Sequence, residues 1–249
     1  MEGFNKRKAL ITYITVGDPN LATTEKLIYQ LEKAGADIIE LGIPFSDPLA
    51  DGPIIQASHQ RALKKNTSLT EAFKLVGKVR KKTNVPICFM LSYNLIVKYG
   101  EEKFYADCAK YKVNGVVVPD LSGEEGQGSE VKGQVEQIAF VSPTSGEERI
   151  KERVGKALGF IYLISVTGIT GKRKDLPADL GELVAKIRKY TNLPIAIGFG
   201  ISTPAQAAAA AKLADGVIVG SALVDLIAKK KTAAALKLVT AMRKAIDGI

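Results

Sequence analysis

Three consecutive segments decide the fold: Leu193-Pro-Ile-Ala-Ile-Gly198, Thr203-Pro-Ala-Gln-Ala-Ala-Ala-Ala-Ala-Lys212 and Gly216-Val-Ile-Val219. The outer two are short, apolar and free of alternation, the mark of strands buried on both faces of a parallel sheet. The middle one is nearly all alanine, a strong helix former. Its Pro204 falls in the first helical turn, where the missing N–H costs nothing. A strand, a helix and a strand joined this closely make a right-handed parallel crossover.

The same unit repeats outward along the chain. Runs of like character are Ala9–Ile14, Asp37–Leu41, Val85–Leu91, Gly115–Val118, Val135–Val141 and Gly159–Ser165, which bring the strands to eight. Helical spacing separates them at Leu21–Lys33, Leu69–Lys81, Glu101–Lys110, Glu147–Lys156 and Asp179–Lys189, and returns at Thr232–Ile246. Thr67 and Ser68 are cap candidates for the helix from Leu69. Eight strand–helix repeats in 249 residues favour an α/β fold closed as a single (β/α)8 TIM barrel with parallel strands. An open doubly wound sheet is the rival. No composition break marks a second domain, so residues 1–249 read as one barrel domain. The weakest stretch is Ser122–Glu136, where the fourth helix belongs. It holds Gly123, Gly126, Gly128 and Gly133, each costing about 1 kcal/mol of helix stability against alanine. A short or frayed helix is expected there.

Composition narrows the function. Trp is absent, so the core must rest on Val, Ile, Leu and Ala. The two cysteines, Cys88 and Cys108, are too few for a disulfide framework and read as inert buried thiols. No apolar run approaches the ~18 residues a membrane span requires. The polar Met1–Lys8 stretch lacks the core of a signal peptide. Cytoplasm is the expected compartment. The net charge of +9 comes from clusters scattered near apparent helix ends, such as Lys78–Lys82 and Lys229–Lys231. That pattern serves solubility and helix dipoles. It forms no continuous basic stripe for nucleic acid.

In such a barrel, chemistry sits at the C-terminal ends of the strands. Glu40 lies within Ile38-Ile-Glu-Leu41, where alternation turns it into the barrel mouth. Burial there would raise its pKa toward neutrality and suit it to proton transfer. A structural glutamate paired to a lysine across the barrel fits the sequence equally well. The loop Gly42–Pro53 then carries Asp47 and Asp51, either as ordinary turn formers or as functional carboxylates. Gly198-Phe-Gly200 and Gly220-Ser221 follow the last two strands, where barrels commonly bind phosphate on bare amides and a helix N-terminus. Tight turns would use the same glycines. Thr167–Lys174 reads as a glycine-hinged loop able to close as a lid, with Thr170 or Lys172 reaching a substrate. His59 is the only histidine, which leaves no His-rich metal cluster. Its helical setting suggests a surface or satisfied side chain.

These segments together resemble the tryptophan synthase α-subunit family. Glu40-Leu-Gly-Ile-Pro-Phe-Ser-Asp-Pro-Leu-Ala-Asp-Gly-Pro53 is similar to its catalytic strand and loop nearly letter for letter. Ile14-Thr-Val-Gly-Asp-Pro19, Val118-Pro-Asp120, Gly168-Ile-Thr-Gly171, Gly198-Phe-Gly-Ile-Ser202 and Gly220-Ser-Ala-Leu-Val224 follow in family order. The resemblance implies retro-aldol cleavage of indole-3-glycerol phosphate to indole and glyceraldehyde 3-phosphate. It implies Glu40 as general acid/base and Asp51 as the second catalytic carboxylate. Gly171, Gly200, Gly220 and Ser221 would bind phosphate; Tyr162 and Phe199 would line the pocket, and the loop after Thr170 would form the lid. It implies no metal and no cofactor in this chain, pyridoxal phosphate belonging to a β-subunit partner in an α2β2 heterotetramer, with the Pro44–Pro53 loop facing that partner. A free indole-releasing lyase, another phosphate-binding barrel such as an epimerase or indole-glycerol-phosphate synthase, and a non-catalytic allosteric barrel are the alternatives. The chain departs from the family pattern in two places. The N-terminal helix that closes the barrel bottom is missing or truncated before Lys8, and Ser122–Glu136 is short.

Overall fold

The computed structural model describes residues 1–4, 7–48, 51–121, 135–164, 177, 179–198 and 200–249. The strands are β1 (Ala9–Thr15), β2 (Ile38–Gly42), β3 (Ile87–Met90), β4 (Gly115–Val117), β5 (Glu136–Val141), β6 (Ile161–Ile164), β7 (Ile195–Gly198) and β8 (Gly216–Val219). They close in sequence order into one barrel. Every neighbouring pair is parallel, including β8 with β1. Closure removes both sheet edges, so the open-sheet rival is excluded.

The helices are α1 (Leu21–Lys33), α2 (Pro53–Leu63), α3 (Leu69–Val79), α4 (Tyr93–Tyr99), α5 (Glu101–Tyr111), α6 (Glu147–Gly155), α7 (Leu180–Arg188), α8 (Pro204–Leu213), α9 (Ser221–Ala228) and α10 (Thr232–Asp247). Their starts follow local chemistry. The Asn20 side chain accepts the Thr23 N–H at 2.8 Å to open α1, and Ser68 accepts the Glu71 N–H at 3.3 Å to open α3. One helix, α4, has no counterpart in the sequence reading. It buries only Ile96, so it carries no apolar periodicity to read. The glycine-rich segment expected to hold a frayed helix falls, over 122–134, outside the described residues.

Two apolar clusters divide the interior. One lies between barrel and helices and takes Leu10, Ile39, Leu41, Ile87, Phe89 and Val217 among many others. The other fills the barrel itself with Ala9, Ile11, Ile38, Cys88, Phe160 and Ile218. Strand alternation explains the division: Ile38 points in, Ile39 out, Glu40 in, Leu41 out. The bottom of the barrel is closed by one 3-10 turn, Glu2–Phe4. Met1 and Phe4 pack on the inner cluster, and Phe4 meets Phe160 with ring centroids 5.3 Å apart. This turn is the one helical element among the described residues before β1. Cys88 and Cys108 are buried free thiols.

Candidate active site

Glu40 has Tyr13 as its register partner on β1. It points into the barrel interior and is 1% exposed. Neither carboxylate oxygen has a hydrogen-bond partner among the described residues. The lysine across the barrel that would have made it structural is therefore not found among them. Burial, with the neighbouring charge of Asp51 adding to it, pushes the Glu40 carboxyl up to about 8. An ionised carboxylate without donors is costly in such a setting, so the neutral acid dominates near neutral pH.

Asp51 arrives from the loop between β2 and α2. Its N–H donates to the Pro48 carbonyl at 3.0 Å, and its own carbonyl accepts the Gln56 side-chain amide at 2.8 Å. Pro53 then starts α2. Asp51's own N–H and carbonyl are thereby held, while its carboxylate, 18% exposed, faces His59 Nε2 at 3.7 Å. Burial raises the Asp51 carboxyl to about 6. Two carboxylates at one site thus titrate apart, the deeper one higher.

Tyrosines wall this pair. The Tyr13 hydroxyl occupies the space that a Cβ on Gly42 would fill, so glycine at the end of β2 is a steric requirement. Tyr162, on β6, packs against Phe140 with ring centroids 5.2 Å apart and the planes tilted by 40°. Its phenol is held well above the usual range by burial and by Glu40, Asp51 and Tyr13. A cavity of about 120 Å³ opens beside Asp51, lined by Tyr13, Phe45, Asp47, His59, Met90 and Asp120 among others; Glu40 does not line it.

The two glycine turns meet this mouth differently. Gly200 takes φ +37°, a left-handed conformation suited to glycine. The α8 start just after it is closed by its own side chains. Thr203 and Gln206 form a capping box, and Gln206 Oε1 accepts the N–H groups of Ser202 and Thr203. The α9 start has no side-chain cap. Its Gly220 lies against Tyr13, 3.4 Å from that residue's Cβ to the point where a Gly220 Cβ would be. An anion at Gly220 and Ser221 would therefore sit beside the tyrosine that pairs with Glu40.

Glu40, Asp51 and Tyr162 thus interact through charge in one barrel interior, and Gly220 abuts Tyr13; Gly200 and Ser221 follow the C-terminal ends of β7 and β8. Thr170, Gly171, Lys172 and Phe199 lie outside the described residues. The sequence reading missed two elements. Tyr13 shares inward parity with Ala9 and Ile11, a signal that was available. His59 is not on the surface but 4% exposed. It satisfies the second half of its expectation, accepting the Phe45 N–H on Nδ1 at 3.1 Å and meeting the Tyr13 hydroxyl at 3.1 Å through Nε2. Burial pushes its pKa down to about 4. Among the described residues no three His, Cys, Asp or Glu side chains gather to hold a metal ion, and no helix is long and apolar enough to cross a membrane.

Comparison with known proteins gives a consistent picture. The family model described as tryptophan synthase alpha chain matches residues 3–247. A curated tryptophan synthase alpha chain from Geotalea daltonii is 51% identical over 88% of this chain and 84% of its own length. One from Lacticaseibacillus casei is 47% identical over 98% and 94%. Among solved structures, tryptophan synthase subunit alpha from Legionella pneumophila superposes with TM-score 0.86 at 38% identity, covering 98% of this chain and 95% of that one. A chain of Mycobacterium tuberculosis tryptophan synthase superposes with TM-score 0.90 at 31% identity, covering 96% and 93%. With the family's model running nearly end to end over a barrel of matching topology, this chain belongs to the tryptophan synthase alpha chain family.

Proposed function

We propose that Glu40 and Asp51 carry out, at this barrel mouth, the reaction of the family: retro-aldol cleavage of indole-3-glycerol phosphate to indole and glyceraldehyde 3-phosphate, within tryptophan biosynthesis. The observation that carries the assignment is a carboxyl buried on the inner face of β2, 1% exposed and with no hydrogen-bond partner among the described residues, within reach of the charge of Asp51. Between about pH 6 and 8 Glu40 is protonated while Asp51 is ionised. One acid and one anion then coexist, as proton-transfer chemistry near neutrality needs.

The neutral Glu40 donates its proton to C3 of the indole ring. The resulting carboxylate takes the proton from the glycerol hydroxyl adjacent to the ring. The aldehyde C=O forms as the carbon–carbon bond breaks, and that electron pair returns to the ring as indole. Glu40 ends protonated as it began, so one residue serves as acid and then base. Asp51 accepts the indole N–H, whose positive character grows once C3 is protonated. Stabilisation that increases as the charge develops accelerates the step.

Tyr162 and Phe199 wall the ring. Gly171, Gly200, Gly220 and Ser221 hold the phosphate with backbone amides and the open α9 terminus, anchoring the substrate far from the bond that breaks. Thr170 lies on the lid. The chain acts as one domain over residues 1–249, needs no cofactor of its own, and works in the cytoplasm. It passes indole to a β subunit, which carries the pyridoxal phosphate, in an α2β2 assembly. The Mycobacterium tuberculosis structure that this chain resembles is described as tryptophan synthase, which supports such a partner. The test is indole release from indole-3-glycerol phosphate, with and without a β subunit. A wild-type protein that releases none under either condition sinks the assignment.

A further inference from the structure

A directed chain of hydrogen bonds runs beneath Asp51. The Phe45 N–H donates to His59 Nδ1 at 3.1 Å. His59 Nε2 lies 3.1 Å from Tyr13 Oη, which lies 3.4 Å from Thr15 Oγ1, which lies 2.5 Å from Ser58 Oγ. Ser58 donates to the Ile55 carbonyl at 2.6 Å. Both ends are backbone groups of fixed polarity, so each proton in between is assigned. Ser58 spends its hydrogen on Ile55 and must accept from Thr15. Thr15 then accepts from Tyr13, and Tyr13 accepts from His59. The ring is therefore neutral, with its only proton on Nε2.

That Nε2–H edge faces Asp51 Oδ2 at 3.7 Å as well as Tyr13. We propose that His59 is a positioning residue for Asp51: one nitrogen holds the Phe45 backbone of the catalytic loop, and the other, donating its proton to Tyr13, sets a neutral polar edge 3.7 Å from the Asp51 carboxylate. The proposal rests on the Asp51 role given under Proposed function. A neutral dipole has a consequence that a cation would not. An imidazolium would lock Asp51 into an ion pair, whereas a neutral ring with its proton engaged by Tyr13 holds the loop in place and leaves the carboxylate charge available to the substrate. The depressed pKa of the buried ring agrees with this state.

Other groups face the same place. Tyr13 on β1 and Glu40 on β2 flank Asp51, and Tyr162 on β6 feels its charge. Asp47 and Asp120 line the adjoining cavity. Asp18, whose charge reaches His59, is itself neutralised by Arg61 at 2.7 Å. Glu40 is neutral through the acid range, so the acid limb of activity reports Asp51.

His59 is the only histidine in the chain, which makes the test direct. Nitrogen-15 NMR of the labelled imidazole in the wild-type protein reads one tautomer. The expected result is a neutral ring protonated on Nε2 from pH 8 to 5; an Nδ1–H ring, or an imidazolium at neutral pH, overturns the proposal. The second arm is the pH profile of indole release. His59→Asn keeps an acceptor for the Phe45 N–H but no donor at the Nε2 position. It should lower kcat about tenfold, with KM nearly unchanged, because small misplacement at a reacting centre is costly. Its acid limb should move to higher pH, as Asp51 loses a favourable dipole. His59→Gln, which keeps an N–H near the Nε2 position, should recover most of both. An Asn variant with wild-type kcat and pH profile overturns the positioning role. If the wild-type protein releases no indole, the lyase reading fails, and the NMR result alone decides on His59.

Discussion

Gly198 lies against the edge of the Tyr162 ring: a Cβ built on it would be 2.6 Å from Cε1 and 2.8 Å from the hydroxyl oxygen. No side chain beyond hydrogen fits there unless the tyrosine moves. Movement is opposed on the other side by Phe140, 5.2 Å away between centroids. Gly198→Ala should therefore lose about 1–3 kcal/mol of stability through overpacking and slow indole release by displacing a wall of the pocket. Denaturant unfolding and an indole assay on the same preparation check both. A variant matching wild type in each would show that the ring is free to shift.

Glu40→Gln replaces a buried, donor-less acid with a neutral isostere. Activity should fall about a hundred- to ten-thousandfold, the usual worth of a general acid–base group. Stability should respond in the opposite sense at high pH. The Glu40 carboxyl is raised from 4.5 to about 8, so the folded state binds the extra proton. Its favourable contribution is complete below pH 4.5 and is lost as pH rises through 8. Asp51, raised from 3.8 to about 6, adds a smaller loss of the same sign. His59 acts oppositely. Its pKa is lowered from 6.5 to about 4, so its contribution is complete above pH 6.5 and is lost as pH falls through 4. Between about pH 6.5 and 8 Glu40 is the one of these three groups whose protonation still differs between folded and unfolded chain, so wild-type stability should decline with rising pH across that window. In Glu40→Gln that decline, up to about 1.4 kcal/mol per pH unit for one group, should shrink. Thermal melts from pH 4 to 9 read this. An alkaline slope equal to wild type would mean that Glu40 is not buried as a neutral acid.

The parallel strands were legible because runs such as Ile195–Gly198 and Gly216–Val219 are apolar on both faces, but their closure was not, since an open doubly wound sheet uses the same strands and only the β8–β1 pairing excludes it. Glu40 was legible as a charge interrupting such a run, but not its state. Whether a lysine answers it depends on residues far apart in the chain. His59 was not legible for the same reason. Its partners Phe45 and Tyr13 come from a loop and from another strand, and nothing near position 59 announces them. The turn Glu2–Phe4 closes the barrel with two side chains, Met1 and Phe4, too few to form a pattern.

Arg61 on α2 grips Asp18 with two bonds, Nε to Oδ1 at 2.8 Å and Nη2 to Oδ2 at 2.7 Å. Asp18 has only 3% of its side chain exposed, while Arg61 has 37%. Removing the arginine leaves a buried charge unanswered, so Arg61→Met should cost more than a surface pair is worth. The loss should be about 1–3 kcal/mol, below the full penalty of a wholly buried pair. Adding Asp18→Asn in the same chain should recover part of that loss, because the stranded charge is gone. A double variant that is less stable than Arg61→Met would show that Asp18 matters for its shape and not its charge.

The α8 and α9 termini both follow glycine turns, yet only α9 begins without a side-chain cap. If the substrate's phosphate docks at α9, the two ends should separate experimentally. Thr203→Ala breaks the α8 capping box and should cost about 1 kcal/mol of stability while leaving KM alone. Gly220→Val should do the reverse. Residue 220 has a negative φ, −121°, and the nearest atom to its Cβ site is at an ordinary 3.4 Å. The fold should therefore tolerate the change, while the added methyls cover amides that would meet the anion. One charge-assisted hydrogen bond is worth about 1.5–3 kcal/mol, so KM should rise about tenfold or more. Steady-state kinetics beside unfolding curves decide between the ends. A raised KM in Thr203→Ala with none in Gly220→Val would move the phosphate to α8 and away from the tyrosine that adjoins Glu40.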